Sequence, residues 1–296
     1  MKDANDPRWI AVDWGTYRFR IWVIGRDNKI LAQASREYDA SRDGFEPALL
    51  GLISDWLPDG QATPVICCGM VDANAPSRAT PCVPVDPTRL RRVQTQDARL
   101  NVHFIPGLVQ RKPPDMMRGE ETLIAGFLML RPDFDGVICL PGAHSRWVHI
   151  SAREIVSFAT FMTGEMFALL AQHSTLSQSI PAQGWDDVAF DQAVATGLSH
   201  PASVSAKLFS LHASALMGDL NLEGVRATLS GLLIGQELGA ARAYWLGQNV
   251  VVLGADDLAE NYIAALLTQG VVAERLASEA LTLVGLTAAY EQGGVR

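Results

Sequence analysis

Three short segments carry side chains and backbone that could move a phosphoryl group. Asp13-Trp14-Gly15-Thr16 closes an apolar run. Gly15 lets a backbone approach an anion closely, the amides after it can form an anion-binding nest, and the Thr16 hydroxyl can donate to phosphate. Asp13 can hold Mg²⁺ directly or through water. A plain hairpin turn would read the same way. Gly142-Ala143-His144-Ser145 follows a second apolar run and offers a second phosphate turn. Arg118-Gly119-Glu120-Glu121-Thr122 precedes an apolar helix. Either Glu120 or Glu121 could accept a proton from a substrate hydroxyl, or both acids could simply favour a first helical turn.

Further candidates surround these. Arg20 could grip a carboxylate or lie on a solvated strand face, and Arg118 is a candidate for substrate contact. Asn74 could bond substrate hydroxyls. Glu165, after Thr163-Gly164, is either a helix-start residue or a substrate contact. Gly254, closing another apolar run, lies where a nucleotide contact is expected, with Asp256 free to be a helix N-cap. Gly231, Gly235 and Gly239 recur one helical turn apart and point first to close helix packing.

The elements that must position these residues follow from periodicity. Residues 9–13 form a strand, and 18–23 alternate with Phe19, Ile21 and Val23 on one face. Gly25-Arg26-Asp27-Asn28 is turn chemistry, and 29–34 return as a third strand. A helix over 46–56, a buried strand over 64–68, an irregular stretch over 71–100 and a strand over 102–105 come next. A helix over 119–130 then opens a second cycle, with strands at 136–140, 146–150 and 154–159. Helices dominate the remainder, near 164–172, 187–197, 202–216 and 223–246, followed by a strand over 249–253 and helices from 257 and 279. The repeated plan of strand, Gly turn, strand, polar turn, strand predicts an α/β chain of two domains, each a mixed sheet flanked by helices. That is the plan of the actin-like ATPase (ribonuclease H-like) fold, in which ATP lies between the domains. The expected division is 1–108 and 109–296, with the last helix packing back on the first domain.

Composition narrows the function. The chain has 296 residues, 48% of them hydrophobic, and can bury a large core. A net charge of −8 leaves no basic excess for nucleic acid. Only Lys2, Lys29, Lys112 and Lys207 accompany the arginines, so anion recognition leans on Arg. Cys67, Cys68, Cys82 and Cys139 show no metal-ligand spacing and read as reduced thiols. The polar N-terminus and the lack of a long apolar run predict a cytoplasmic protein with no membrane partner. No GxxxxGK[ST], GxGxxG after a strand, GxSxG or HExxH is present.

Ordered along nearly the whole chain, these motifs resemble those of the 2-dehydro-3-deoxygalactonokinase family. The matches are Asp13-Trp14-Gly15-Thr16, Gly69-Met70-Val71, Ile105-Pro106-Gly107-Leu108 and Met117-Arg118-Gly119-Glu120-Glu121-Thr122. Pro141-Gly142-Ala143-His144-Ser145-Arg146-Trp147-Val148, Met162-Thr163-Gly164-Glu165 and Leu229-Ser230-Gly231-Leu232-Leu233-Ile234-Gly235 complete the set. The resemblance implies ATP and Mg²⁺, and phosphorylation of 2-dehydro-3-deoxy-D-galactonate on its 6-hydroxyl in galactonate breakdown. In that picture Glu120 is the base with Glu121 as fallback. Asp13, Gly15, Thr16, Gly142, Ala143, His144, Ser145 and Gly254 serve nucleotide and phosphate; Arg20, Asn74, Arg118 and Glu165 serve the sugar acid. Tyr17-Arg18 after the first turn, Ala143 for the usual Thr and Arg146 for Lys depart from the pattern. A kinase for another keto-deoxy acid or sugar, or a non-catalytic nucleotide- or sugar-binding regulator, remains an alternative, and a homodimer remains open.

Overall fold

A computed structural model describes residues 7–15, 18–37, 44–69, 77–84, 90–180, 183–218, 222–254 and 257–295. The first part of the chain forms β1 (Trp9–Trp14), β2 (Arg18–Ile24), β3 (Ile30–Glu37), α1 (Phe45–Ile53), β4 (Thr63–Gly69), β5 (Arg78–Ala79) and β6 (Arg91–Val93). It continues with β7 (Leu100–Phe104), β8 (Leu108–Arg111), β9 (Pro114–Met117) and α2 (Glu120–Leu130). Next come β10 (Gly136–Leu140), β11 (Ser145–Ser151), β12 (Glu154–Phe161), α3 (Thr163–His173), α4 (Asp187–Ser199) and α5 (Val204–Met217). The last elements are α6 (Leu222–Ala240), α7 (Arg242–Trp245), β13 (Val250–Leu253), α8 (Asp257–Leu267), β14 (Glu274–Leu276) and α9 (Glu279–Gln292).

Two compact units result: 1–134 with 152–155 and 278–296, and 135–151 with 156–277. The boundary falls at Phe134 rather than at residue 108, because α2 packs on α9 inside the first unit. Glycines make that crossing close. A side chain at Gly126 would collide with the Leu281 carbonyl, and one at Gly285 with the Thr122 carbonyl.

The first unit's main sheet runs β3-β2-β1-β4-β7-β6, with β1 antiparallel to β2 and parallel to β4. Alternation sorts β1 by face. Ile10, Val12 and Trp14 pack toward Ala48, Leu49 and Ile53 of α1. Trp9 and Ala11 meet Leu286, Ala289 and Tyr290 of α9, with the Trp9 and Tyr290 rings stacked at 4.6 Å. The second unit repeats the arrangement as β12-β11-β10-β13-β14, β10 again antiparallel to its hairpin partner and parallel to β13. Val137, Cys139, Val250 and Val252 bury against Phe190, Ile234, Leu238 and Tyr262.

Two expectations need correction. The stretch expected to be irregular contains β5 and β6, and β5 joins the hairpin β8–β9 in a separate three-stranded sheet. These strands are two to four residues long, too short for alternation to register. The helix expected over 223–246 breaks at Ala241, between α6 and α7. The glycine spacing noted in α6 reflects packing on α4: side chains at Gly231 and Gly235 would strike the carbonyls of Phe190 and Val194.

Candidate functional site

In the first unit, the C-terminal ends of two parallel neighbours bring Asp13 and Cys68 into register, and Trp14 beside Gly69. Ligands of open α/β sheets bind outside such strand ends. Gly69 has φ +96°, and any side chain on it would run into the Trp14 carbonyl. Gly119, at φ +106°, faces the Gly69 Cα at 3.3 Å from where a Cβ would stand. Three segments therefore meet through bare backbone, and the first turn of α2 starts against the end of β4.

The two acids on that turn occupy different environments. Glu121 is fully buried; its Oε2 accepts the Gly119 amide at 2.7 Å and its Oε1 the Thr122 hydroxyl at 3.1 Å. Burial, reinforced by the charge of Glu120, pushes the Glu121 carboxyl up to about 7. Glu120 is only half-buried, and its Oε2 accepts the Arg118 amide at 3.1 Å. Successive residues on a helix point about 100° apart, so one acid faces inward and the other outward.

Asp13 Oδ2 accepts from Arg20 Nε at 3.1 Å and Nη2 at 2.5 Å, while Arg20 Nη1 lies 3.8 Å from Glu279. Arg20, expected to meet a substrate carboxylate, thus has its fork on Asp13. Asp13 Oδ1 meets the Cys68 thiol at 3.6 Å, a weak donor. That thiol is raised well above the usual range by burial and then by the Asp13 and Glu121 charges. Among the described residues no group of three or more His, Cys, Asp or Glu could hold a metal. The donor set still fits Mg²⁺, which commonly takes one or two carboxylates and completes its shell with water and phosphate oxygens; Asp13 Oδ1, which carries no Arg20 bond, could supply such an oxygen. Gly15 directly follows β1; Thr16 and Asn74 lie outside the described residues.

In the second unit, the turn between β10 and β11 opens onto a cavity of about 880 Å³. Gly142 and Ala143 line it with Thr163 and Gly164 at the start of α3, and Phe167, Trp185, Arg226, Ser230 and Asn261 farther along. The start of α3 is docked on the turn: the Glu165 amide donates to the Ala143 carbonyl at 2.9 Å, and a side chain at Gly164 would clash with the Gly142 carbonyl. His144 Nε2 meets Glu165 Oε2 at 2.5 Å, so these two predicted residues form one pair.

Ser145 departs from its expected role. It is fully buried, and its hydroxyl donates to Glu237 Oε2 at 2.7 Å, so its single proton points away from any phosphate. Gly254 is buried with its amide on the Leu276 carbonyl, and the cavity wall near it comes instead from Asp257, Leu258, Glu260 and Asn261. The sequence reading missed Trp185, Arg226 and Asn261, which no local motif marks. It also missed Glu237, whose signal was legible: an acid on the α6 face shared with Leu233 and Ile234, both buried.

Two mixed sheets of matching order, each with a hairpin turn after its first strand, define the actin-like ATPase fold. The activator of the 2-hydroxyisocaproyl-CoA dehydratase from Clostridium difficile, solved with bound ADPNP, shares that fold alone, with a TM-score of 0.55 at 12% identity over 96% of this chain and 95% of that one. Within the fold, the chain belongs to the 2-keto-3-deoxy-galactonokinase family, whose model matches residues 13–289. It is 34% identical over 254 residues to the 2-dehydro-3-deoxygalactonokinase of Escherichia coli (strain K12), covering 84% of this chain and 85% of that one. It is also similar to the crystal structure of a Sinorhizobium meliloti protein assigned as a 2-dehydro-3-deoxygalactonokinase, with a TM-score of 0.87, 33% identity and 96% of each chain covered. Among the described residues, no helix is long and apolar enough to cross a membrane.

Proposed function

We propose that this chain transfers the γ-phosphoryl group of ATP to the terminal 6-hydroxyl of 2-dehydro-3-deoxy-D-galactonate, giving the 6-phosphate and ADP. The observation that carries this reading is Glu120, an accessible carboxylate set by a glycine junction beside Asp13, within a family-matched chain. Glu120 takes the proton of the 6-hydroxyl as its oxygen bonds to the γ-phosphorus and the bond to the bridging oxygen of ADP breaks. Glu121, buried and bonded to the Gly119 amide, holds the start of α2 and is a positioning residue. Arg20 fixes the Asp13 carboxylate by two bonds to one oxygen, leaving the other for Mg²⁺. Bound there, Mg²⁺ would neutralise charge on the phosphate oxygens.

The nucleotide takes the second unit's cavity, with Gly142 and Ala143 at its phosphate end. The volume suits a ligand of that size, and Phe167 and Trp185 supply aromatic walls. Arg118, Glu165 and His144 stand as contacts for the sugar acid or the transferred group. An ATP-consuming catabolic kinase works where ATP is made, so we place it in the cytoplasm. ADP release measured against a panel of 2-keto-3-deoxy acids and neutral sugars tests the reading. The galacto-configured acid should give the highest kcat/KM, and equal turnover of a neutral hexose would defeat the assignment.

A further inference from the structure

Glu237 is a carboxylate in the interior of the second unit, 2% exposed, with three donors from two other elements aimed at it. Ser145 Oγ donates at 2.7 Å and Trp147 Nε1 at 2.8 Å, both from β11, and Tyr262 OH donates at 2.7 Å from α8. A buried carboxylate is stabilised only where donors replace its water, and charge-assisted bonds of this kind are the strong ones. The surroundings register the charge: the Tyr262 hydroxyl is raised well above its usual range by burial and then by Glu237, and the Cys139 thiol likewise.

The three donors tie together the walls of one cavity. Ser145 ends the turn whose Gly142 and Ala143 line it. Glu237 stands on α6, which contributes Arg226, Ser230 and Ile234, and Tyr262 follows the lining residue Asn261 on α8. Other holds on the turn are the His144 side chain on Glu165, the Ala143 carbonyl on the Glu165 amide, the His144 carbonyl on Arg146 Nη1 at 3.0 Å and the longer contact of Ser145 Oγ with the Phe161 carbonyl at 3.4 Å. We propose that Glu237 is a positioning residue for the bound nucleotide, fixing the phosphate turn at 142–145 through Ser145. The proposal rests on the assignment of the nucleotide to this cavity. Glu237 touches no substrate; it sets where the Gly142 and Ala143 backbone stands when phosphate arrives.

The test compares Glu237→Leu, Glu237→Gln, Ser145→Ala and the double variant Ser145→Ala/Glu237→Leu in the full chain. KM for ATP, KM for the sugar acid, kcat at saturation and Tm are measured. Glu237→Leu removes the acceptor and should raise the KM for ATP on the order of tenfold, with the sugar-acid KM within about twofold of the parent. Glu237→Gln keeps an oxygen for Ser145 and should recover most of that loss. The double variant should be no worse than Glu237→Leu, since both changes break the same bond. Ile53→Ala, in the apolar core of the first unit, lowers Tm without touching the network or the cavity lining and should leave the KM for ATP unchanged. An unchanged KM in Glu237→Leu overturns the proposal, as do multiplying effects in the double variant or an equal KM rise in Ile53→Ala. Should Glu237→Leu not fold, Ser145→Ala decides: an unchanged KM for ATP overturns the proposal. Ser230→Trp, which fills the cavity, separates the two readings. If it abolishes ATP binding while Glu237→Leu does nothing, only the role of Glu237 falls; if it leaves ATP binding intact, the nucleotide lies elsewhere and both fall.

Discussion

Two adjacent glutamates on one helical turn carry opposite physical assignments. Glu120 is half-buried and accepts the Arg118 amide; Glu121 has no exposed surface. If Glu120 is the base, Glu120→Gln should bind ATP nearly normally while kcat falls on the order of 10²–10⁴-fold, read from steady-state kinetics at saturating ATP. Retention of full kcat would move the base elsewhere. Glu121 makes a prediction about stability instead. Its folded carboxyl lies near 7 against the ordinary 4.5. The folded state therefore binds a proton that the unfolded state has released between those values. The associated stability is fully present below pH 4.5 and is lost as pH rises through 7, on the order of 3 kcal/mol in all. Glu121→Gln mimics the protonated form, so the drop in urea midpoint between pH 5 and pH 8 should be smaller in the variant. Identical drops in both proteins would show that Glu121 does not titrate with this shift.

At the scale of elements, glycine contacts decide how closely the site-bearing segments approach. The start of α3 meets the β10–β11 turn through Gly164, whose added Cβ would strike backbone on the turn, and backbone has little freedom to yield. Gly164→Ala should cost about 1–3 kcal/mol of stability and displace the turn, so the KM for ATP should rise together with the loss of Tm. A lowered Tm with an unmoved KM would detach the turn from nucleotide binding. The same logic explains why α2 belongs with the first unit: Gly126 and Gly285 let it lie on α9 at a distance that any side chain would forbid.

At the scale of the whole molecule, each unit has its own apolar clusters, and among the described residues the cavity beside the 142–145 turn is lined by residues of the second unit. Ligand binding stabilises whatever it binds, so ADP at a hundredfold its Kd should add about 2.7 kcal/mol and raise Tm by roughly 5 °C or more. Ser230→Trp should abolish the shift in a thermal melt, and an intact shift would place the nucleotide outside the cavity.

The amino-acid sequence by itself determined the elements long enough to show a period, and the glycine turns that punctuate them. Both signals are local: alternation over 18–23 and Gly-turn chemistry after 9–13 and 136–140 need only neighbours along the chain. They were enough to suggest a duplicated sheet plan and to mark Asp13, the Glu120–Glu121 pair and the 142–145 turn as candidates. The family resemblance added the reaction. Tertiary structure alone decided which partner each charge takes. Asp13 could not show from its neighbours that Arg20 would occupy its carboxylate. Ser145 read as a phosphate donor until the fold brought it to Glu237, ninety-two positions away. Glu120 and Glu121 were equivalent in sequence, and only the packing around α2 buried one fully and left the other half-exposed. A side chain's charge state and hydrogen-bond partner depend on what packs around it in space, and linear spacing carries that information only within an element.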